Sequence, residues 1–287
     1  MTGPLTGANL DAPTVAGFGE ERSRFDQSEL SDAERIQTSA VYLPLARVTQ
    51  LLRSLAAARP TLPRRAFHST EYLRHNQRRQ EHLATLGLDL ATRSVLEVGA
   101  GIGDHTSFFL DRGCAVTVTE ARKANLRVLR RRFPDLAVRH LDLDRPDPSL
   151  AGRWDVVYCY GVLYHLSRPA EALRYLAHRC GSLLLLETCV TPGDAVALNP
   201  QAEARANPTQ AVSGMGCRPT RPWVVQQLAA LFEHVYVPIT QPWHEEFPDD
   251  WTAAPRDRLT RAVFVASRSA LDTPLLTASL PARQPRG

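Results

Sequence analysis

A glycine-rich turn and three recurring acidic residues form the part of the sequence with the clearest chemistry. The glycines lie in "VLEVGAGIGDH", after an apolar run, and are Gly99, Gly101 and Gly103. The acidic residues end three successive apolar runs and are Glu97, Glu120 and Asp142. Glycine is needed where the backbone turns sharply beside a ligand, and a carboxylate about 20 residues further on can bind ribose hydroxyls. Because a third carboxylate can accept a hydrogen bond from the amino group of adenine, the spacing predicts a nucleoside site.

His165 is the titratable residue best suited to proton transfer. It lies in "VVYCYGVLYHLSRP", shortly after an apolar run typical of a buried strand. An unperturbed histidine is largely neutral at cellular pH and can accept a proton from a hydroxyl. The sequence leaves a second interpretation open, in which His165 only caps the next helix or fills a pocket wall. Tyr160 and Tyr164 flank it and can line a ligand site or stack on a ring.

Alternating strand and helix patterns must position these groups. The predicted strands are "RSVLEVG", "CAVTVTE", "LAVRHLD", "WDVVYCY" and "SLLLLETC", with helical patterns after the first, second and fourth. This alternation predicts an α/β fold with a doubly wound, mostly parallel sheet. Ligands bind such sheets beyond the carboxyl ends of the strands, where the strand order reverses. We therefore expect the glycine turn and His165 on the same edge of the sheet.

Composition and periodicity divide the chain into four parts. They are a loosely ordered arm (1–38), an N-terminal helical cap (39–92), the α/β domain (93–270) and an extended tail (271–287). The cap contains two helical patterns, at residues 41–58 and from Glu71 to Gly87. Within the domain, long segments at 190–220 and 241–260 predict substrate loops or a lid. A helix with Thr220 at its N-cap and two strands complete the domain.

The glycine turn resembles the first motif of the class I S-adenosylmethionine-dependent methyltransferases. "EVGAGIG" matches that motif, and "WDVVYCYGVLYHLSRP" is similar to the fourth-strand motif of the family. The resemblance implies a seven-stranded sheet of order 3-2-1-4-5-7-6 with strand 7 antiparallel. It implies that S-adenosylmethionine is bound by Glu97, Gly99, Ala100, Gly101, Gly103, Glu120, Asp142, Leu143 and Tyr160. Arg79 in the cap is a candidate partner for the methionyl carboxylate, with a solvated charged face as the alternative.

Two late segments, "GMGCRPTRPW" and "QPWHEEFPDDW", are rich in residues that recognise polar rings. Aromatic faces stack on sugars, and arginine satisfies hydroxyl groups. The candidate substrate contacts are Tyr164, Arg218, Trp223 and Trp243. A further hypothesis places Mg²⁺ on Glu187, His244 and Glu245, where it would bind two vicinal hydroxyls. A surface charge cluster is the alternative for these three residues.

The leading functional hypothesis is O-methylation of a hydroxylated small molecule, a sugar or glycosylated metabolite, with His165 as general base. One alternative is modification of the tRNA wobble uridine, because "GVLYHLSRP" resembles the corresponding motif of enzymes acting on that base. A non-catalytic scaffold that binds the donor is the other alternative. The oligomeric state stays open, with a homodimer as one option.

Bulk composition narrows the classes of partner. The net charge of +4 is only mildly basic, which does not favour a nucleic-acid partner. We expect no membrane association, because no apolar run approaches the roughly 20 residues that span a bilayer. Five scattered cysteines without a CxxC pair, and an N-terminus without a signal pattern, predict a cytoplasmic protein with reduced thiols.

Overall fold

The computed structural model describes residues 63–146 and 150–287. The predicted arm and the first cap helix lie outside these residues. The second cap helix is present as α2 (Thr70–Thr85), preceded by the short helix α1 (Pro63–Phe67). Ser69 caps α2 by accepting a hydrogen bond from the Tyr72 N–H at 3.3 Å. Gly87 follows the helix with a φ of +65°, a conformation that glycine adopts readily.

One large sheet forms the centre of the fold. Its strands are β1 (Ser94–Glu97), β2 (Ala115–Glu120), β3 (Ala137–His140), β4 (Trp154–Tyr160), β5 (Cys180–Val190), β8 (His234–Pro238), β9 (Thr260–Ser267) and β10 (Leu276–Thr277). Their order is β10-β8-β9-β5-β4-β1-β2-β3. The first five strands are parallel, β9 is antiparallel to β5 and β8, and β10 is antiparallel to β8. The predicted order is confirmed, with β8 and β9 as strands six and seven and β10 as an added edge strand.

Helices cover both faces of the sheet. They are α3 (Thr106–Leu110), α4 (Lys123–Arg132), α5 (Pro169–Arg179) and α6 (Arg221–Ala229), with a 3₁₀ turn at Leu163–His165. Side chains of a strand alternate between the faces, so that Val95 and Val156 join one apolar cluster while Leu96 and Val157 join the other. Burial on both faces explains why these strands appear in the sequence as continuous apolar runs.

Two regions differ from the expectation. The segment predicted as a loop contains a hairpin of β6 (Leu198–Ala202) and β7 (Met215–Pro219). Its strands carry prolines and polar residues, which hide the usual strand pattern. The C-terminal tail is packed onto its own chain rather than simply extended. Gln284 is buried there, accepts a hydrogen bond from Trp251 Nε1 at 2.6 Å and donates one to the Pro238 carbonyl.

Two further features concern the described part of the chain. None of its helices has the length and apolar character required to cross a membrane. The five cysteines are all free and buried.

Candidate functional site

The glycine turn folds tightly against the end of β2. Gly99, Gly101 and Gly103 all have positive φ angles, 62°, 59° and 86°. The Gly101 N–H donates to Glu120 Oε2 at 2.9 Å, which fixes the turn beside that carboxylate. A Cβ at position 99 would lie 2.4 Å from Val162 Cγ2. Both the backbone conformation and the available space therefore require glycine at this position.

The three acidic residues lie at the carboxyl ends of β1, β2 and β3. Glu97 is buried and accepts a hydrogen bond from Thr106 Oγ1 at 2.6 Å, and burial raises its pKa to about 7. Burial also raises the pKa of Glu120, against the opposing hydrogen bonds from the backbone N–H groups of Arg122 and Gly101. Asp142 accepts from the Asp144 N–H at 3.0 Å.

A cleft of about 670 Å³ opens at these strand ends, and we call it the main cleft. Its walls include residues predicted from the sequence: Gly99, Gly101, Glu120, Asp142, Leu143 and His165. Asp144, which the sequence reasoning missed, accepts hydrogen bonds from the N–H groups of Ser167 (2.9 Å) and Arg168 (3.1 Å). It thereby ties the loop after β3 to the start of α5.

A second space of about 350 Å³ shares the glycine turn as a wall, and we call it the polar cavity. Arg79, Asp104, His105 and Tyr160 line it. Each carries a buried polar atom without a hydrogen-bond partner among the described residues: Arg79 Nε, Asp104 Oδ2, His105 Nε2 and Tyr160 Oη. Buried polar atoms in proteins are normally satisfied. This cavity is therefore suited to a polar ligand group.

Arg79 is not a free cation. Its Nη1 lies 2.9 Å from Glu187 Oε2, and Arg261 Nη1 lies 3.0 Å from Glu187 Oε1. Although burial opposes ionisation, the two guanidinium groups hold the pKa of Glu187 below its ordinary value. Arg261 also donates to Tyr164 Oη at 3.2 Å. The arginine predicted to meet a ligand thus belongs to a buried ion-pair network beside the site, and its Nε has no hydrogen-bond partner among the described residues.

His165 meets a carboxylate that sequence reasoning did not find. Its Nδ1 lies 2.5 Å from Oε2 of Glu203, which is itself almost fully buried. Burial lowers the pKa of His165, whereas the contact with Glu203 opposes that change. The second ring nitrogen, Nε2, has no hydrogen-bond partner in the described part of the chain. The pair therefore presents a fixed imidazole to the main cleft.

Residues 203–212, between the hairpin strands, lie over the main cleft, and we call this segment the lid. Residues 208–212 line the cleft. Arg122 donates to the backbone carbonyls of Arg205 (3.0 Å), Gln210 (2.7 Å) and Ala211 (3.2 Å). Of the segment 190–220, which was predicted to be a substrate loop, residues 208–212 line the main cleft. Arg122, two positions after Glu120, holds the lid in place.

The predicted Mg²⁺ site does not form. Glu187 is engaged by Arg79 and Arg261, and Glu245 is paired with Arg74 at 2.5 Å. Within residues 63–146 and 150–287, no group of three or more His, Cys, Asp or Glu residues is arranged to hold a metal ion. His244 instead packs against the ring of His75 at 4.9 Å. The candidate ligands are neutralised by arginines or packed against another side chain.

The predicted substrate contacts have different fates. The prediction that Trp223 contacts the substrate is wrong, because its side chain is buried in the core with Val224 and Leu228. Arg218 Nη1 donates hydrogen bonds to Glu203 Oε1 and the Tyr164 carbonyl, both at 3.3 Å. It therefore contacts the partner of His165. Tyr164 is buried between Arg218 and Arg261. Trp243 is 61% exposed.

Comparison with known proteins places this arrangement in a family. Residues 96–182, which contain the glycine turn and β4, match a family model described as a methyltransferase domain. The chain therefore carries a methyltransferase domain, and its central sheet has the strand order of the class I S-adenosylmethionine-dependent methyltransferases. This methyltransferase is similar in fold to the N-terminal domain of EvdMO1, crystallised with SAH and D-fucose. That similarity has a TM-score of 0.53 and 21% identity, over 69% of this chain and 84% of that one. The same domain with SAH alone gives 0.51, at 21% identity over 68% and 80%.

Curated relatives share part of the sequence. A tRNA U34 carboxymethyltransferase of Alcanivorax borkumensis is 35% identical over 125 residues, which is 41% of this chain and 38% of that protein. The enzyme of the same name from Mannheimia succiniciproducens is 32% identical over 120 residues, 39% and 36% of the two chains. The methyltransferase thus matches less than two fifths of the length of these relatives.

S-adenosylmethionine, the cofactor of the family, fits the residues present. Glu120 and Asp142 in the main cleft can accept hydrogen bonds from ribose and adenine. The unpartnered polar atoms of Arg79 and Tyr160 suit the amino-acid end of the cofactor. The glycine turn, shared by both spaces, lets the backbone approach the part between them.

Proposed function

We propose that the protein methylates a hydroxyl group of a small polar acceptor, a sugar or glycosylated metabolite, with His165 as the general base. The observation that carries this proposal is the 2.5 Å contact between His165 Nδ1 and Glu203 Oε2 in the wall of the main cleft. A histidine whose Nδ1–H donates to a carboxylate keeps the Nε2 lone pair for a substrate proton. The contact favours the role of His165 as an oriented base and not the alternative in which it only fills a pocket wall.

The protein has to align the two reactants, exclude water and accept one proton. When bound, S-adenosylmethionine supplies an electrophilic methyl group on a positively charged sulfur. The residues of the cleft hold the reactants in line and exclude water. As the new oxygen–carbon bond forms and the carbon–sulfur bond breaks, His165 Nε2 accepts the hydroxyl proton. Glu203 then stabilises the resulting imidazolium.

Two features support a neutral His165 before the reaction. Burial lowers its pKa, which keeps the imidazole deprotonated near pH 7. Arg261 and Arg218, the cations that also lower this pKa, face it from β9 and β7. Glu203 opposes them, so the imidazolium formed during turnover is not left without a counterion.

The choice of a sugar as acceptor has a separate basis. The EvdMO1 domain, whose fold is similar, was crystallised with SAH and D-fucose. We infer a related acceptor class for this chain, because a hydroxyl that lacks an acidic proton needs the base that the His165–Glu203 pair offers. Phenols, which ionise more readily, depend on such a base less.

A screen of S-adenosylmethionine consumption against sugars and glycosylated metabolites tests the proposal. With an accepted substrate, we expect His165→Ala to lower kcat by about 10²- to 10⁴-fold while the affinity for S-adenosylhomocysteine is retained. His178→Ala, which removes an exposed histidine on α5, serves as the control. Full turnover by His165→Ala would overturn the assignment of the base.

Transfer to the tRNA wobble uridine is the second candidate, favoured by the 35% identity with a tRNA U34 carboxymethyltransferase. For tRNA binding, the logarithm of the association constant would fall linearly with the logarithm of the salt concentration, because binding releases counterions from the phosphates. A filter-binding series in salt therefore decides this candidate. Mass spectrometry of the modified nucleoside would then separate methyl from carboxymethyl transfer.

A further inference from the structure

The lid connects the cofactor side of the main cleft to the proposed base. At one end of this connection, Arg122 follows Glu120 by two residues and holds three lid carbonyls. Asn125 Nδ2 adds a contact with the Pro208 carbonyl at 3.4 Å. At the other end, Glu203 contacts His165. One short segment therefore spans from the β2 end to the 3₁₀ turn after β4.

Glu203 also joins the two ends of the lid. Its Oε2 accepts a hydrogen bond from the Ala211 N–H at 2.7 Å, in addition to the contact with His165. Its Oε1 faces Arg218 Nη1 at 3.3 Å. Because Ala211 lines the main cleft and is held by Arg122, a change in the lid at Ala211 also affects the carboxylate that orients the histidine.

The close approach of the hairpin to the 3₁₀ turn depends on a glycine. A Cβ at Gly216 would lie 2.3 Å from the Tyr164 carbonyl oxygen and 2.7 Å from Glu203 Oε1. Its φ lies outside the left-handed region, so the requirement is one of space alone. The missing side chain thus allows β7 to pack directly against the turn that carries His165.

We propose that Glu203 is a positioning residue that acts through the lid: the closed lid holds Glu203 against His165, and bound cofactor stabilises the closed lid. The proposal rests on the role proposed for His165. The lid is held largely by polar contacts to backbone carbonyls, whereas an adenosine group in the main cleft would add contacts with residues 208–212. Cofactor binding would therefore favour the closed lid, and with it the His165–Glu203 contact.

This coupling predicts an order of events. Without cofactor, the lid lacks the added contacts with residues 208–212, so the His165–Glu203 contact is formed for a smaller fraction of the time. The acceptor then meets an oriented base less often. After cofactor binding, the base is assembled at the cleft, so the productive order is cofactor first and acceptor second.

NMR of ¹⁵N-labelled histidine tests the coupling without any acceptor. We would measure the tautomer and the apparent pKa of His165 in the wild type and in Glu203→Gln, each with and without S-adenosylhomocysteine. The groups that face His165 are Glu203, Arg218, Arg261 and the Tyr164 ring, and only the first changes in this variant. His165→Ala assigns the resonance, and Gln201→Ala, at an exposed hairpin position, is the control.

With S-adenosylhomocysteine bound, we expect His165 of the wild type to hold its proton on Nδ1 and to have a higher apparent pKa than in Glu203→Gln. Without it, the difference between the two proteins should be clearly smaller. An equal difference in both states would overturn the coupling through the lid. Identical behaviour of the two proteins in both states would overturn the positioning role itself.

Kinetics with an accepted substrate give a second readout. Glu203→Gln should lower kcat by about 10- to 100-fold and leave KM for the acceptor nearly unchanged. Because Glu203 raises the pKa of His165, the acidic limb of the kcat profile should move to lower pH in the variant. An unmoved limb would contradict the positioning role. If His165→Ala keeps full turnover while the NMR coupling is present, the proposed function fails and the coupling stands.

Discussion

Arg79 of α2 and Glu187 of β5 form a buried ion pair, with Nη1 and Oε2 2.9 Å apart. The pair joins the helix preceding the α/β domain to the central sheet. It also forms the floor behind Gly161, where a Cβ would lie 3.0 Å from Arg79 Nη1. One arginine therefore both joins α2 to the sheet and lines the polar cavity.

Removing this arginine should destabilise the fold. Arg79→Ala leaves a buried carboxylate with one arginine instead of two, and we expect the free energy of unfolding to fall by about 3 kcal/mol. Urea denaturation followed by circular dichroism measures the change. Arg93→Ala, which breaks an exposed pair with Asp89, should cost less than about 1 kcal/mol. Equal effects of the two variants would contradict the importance of the buried pair.

Glu120 should dominate the affinity for the cofactor product. Its carboxylate faces the main cleft and also fixes the Gly101 N–H, so Glu120→Ala removes both a ligand contact and the shape of the turn. We expect S-adenosylhomocysteine to bind about 100-fold more weakly, as measured by isothermal titration calorimetry. Glu171→Ala, at an exposed position on α5, is the control. Unchanged affinity in Glu120→Ala would refute the location of the ribose site.

Glu97 should make stability depend on pH. Its native pKa of about 7 lies above the ordinary value of 4.5, so the native state keeps a proton that the unfolded chain has released between these pH values. The free energy of unfolding therefore falls as pH rises from 4.5 to 7. Glu97→Gln removes this loss, and we expect its advantage over the wild type to be roughly 2 kcal/mol larger at pH 8 than at pH 5.

Thr106→Val gives the matched control for this pH dependence. It removes the hydroxyl that donates to the Glu97 carboxylate at 2.6 Å and so disfavours the charged form. We expect it to lose more stability at pH 8 than at pH 5, opposite in sign to Glu97→Gln. Parallel pH profiles for the wild type and Glu97→Gln in urea denaturation would show that burial does not raise this pKa.

Chelation should leave turnover unchanged. Two of the three predicted Mg²⁺ ligands, Glu187 and Glu245, are paired with arginines. We expect the same rate in excess EDTA and after addition of MgCl₂, measured as S-adenosylhomocysteine formation. Glu245→Ala should likewise keep the rate. Loss of activity in EDTA that Mg²⁺ restores would show that the reaction needs the metal ion.

Local sequence patterns are sufficient to predict the core of the fold and several residues that line the main cleft. Gly99, Glu120 and Asp142 follow successive strands, and the carboxyl ends of parallel neighbours must meet at one edge of the sheet. The strands are apolar runs because both faces of the sheet are covered, so the sequence shows where they lie. Their order in the sheet follows from the family resemblance. His165 can likewise be recognised from the sequence, because it is a titratable residue shortly after an apolar strand.

Only the tertiary structure decided what surrounds His165. Glu203 lies 38 residues away, in a hairpin whose prolines and polar residues carry no clear strand pattern. Trp223, a predicted substrate contact, lies in the core, because the sequence of its helix has no distinct apolar face that would show which side is buried. Sequence periodicity fixes which residues share a strand or a helix face. Contacts between distant segments, such as the lid and the 3₁₀ turn, depend on how those elements pack.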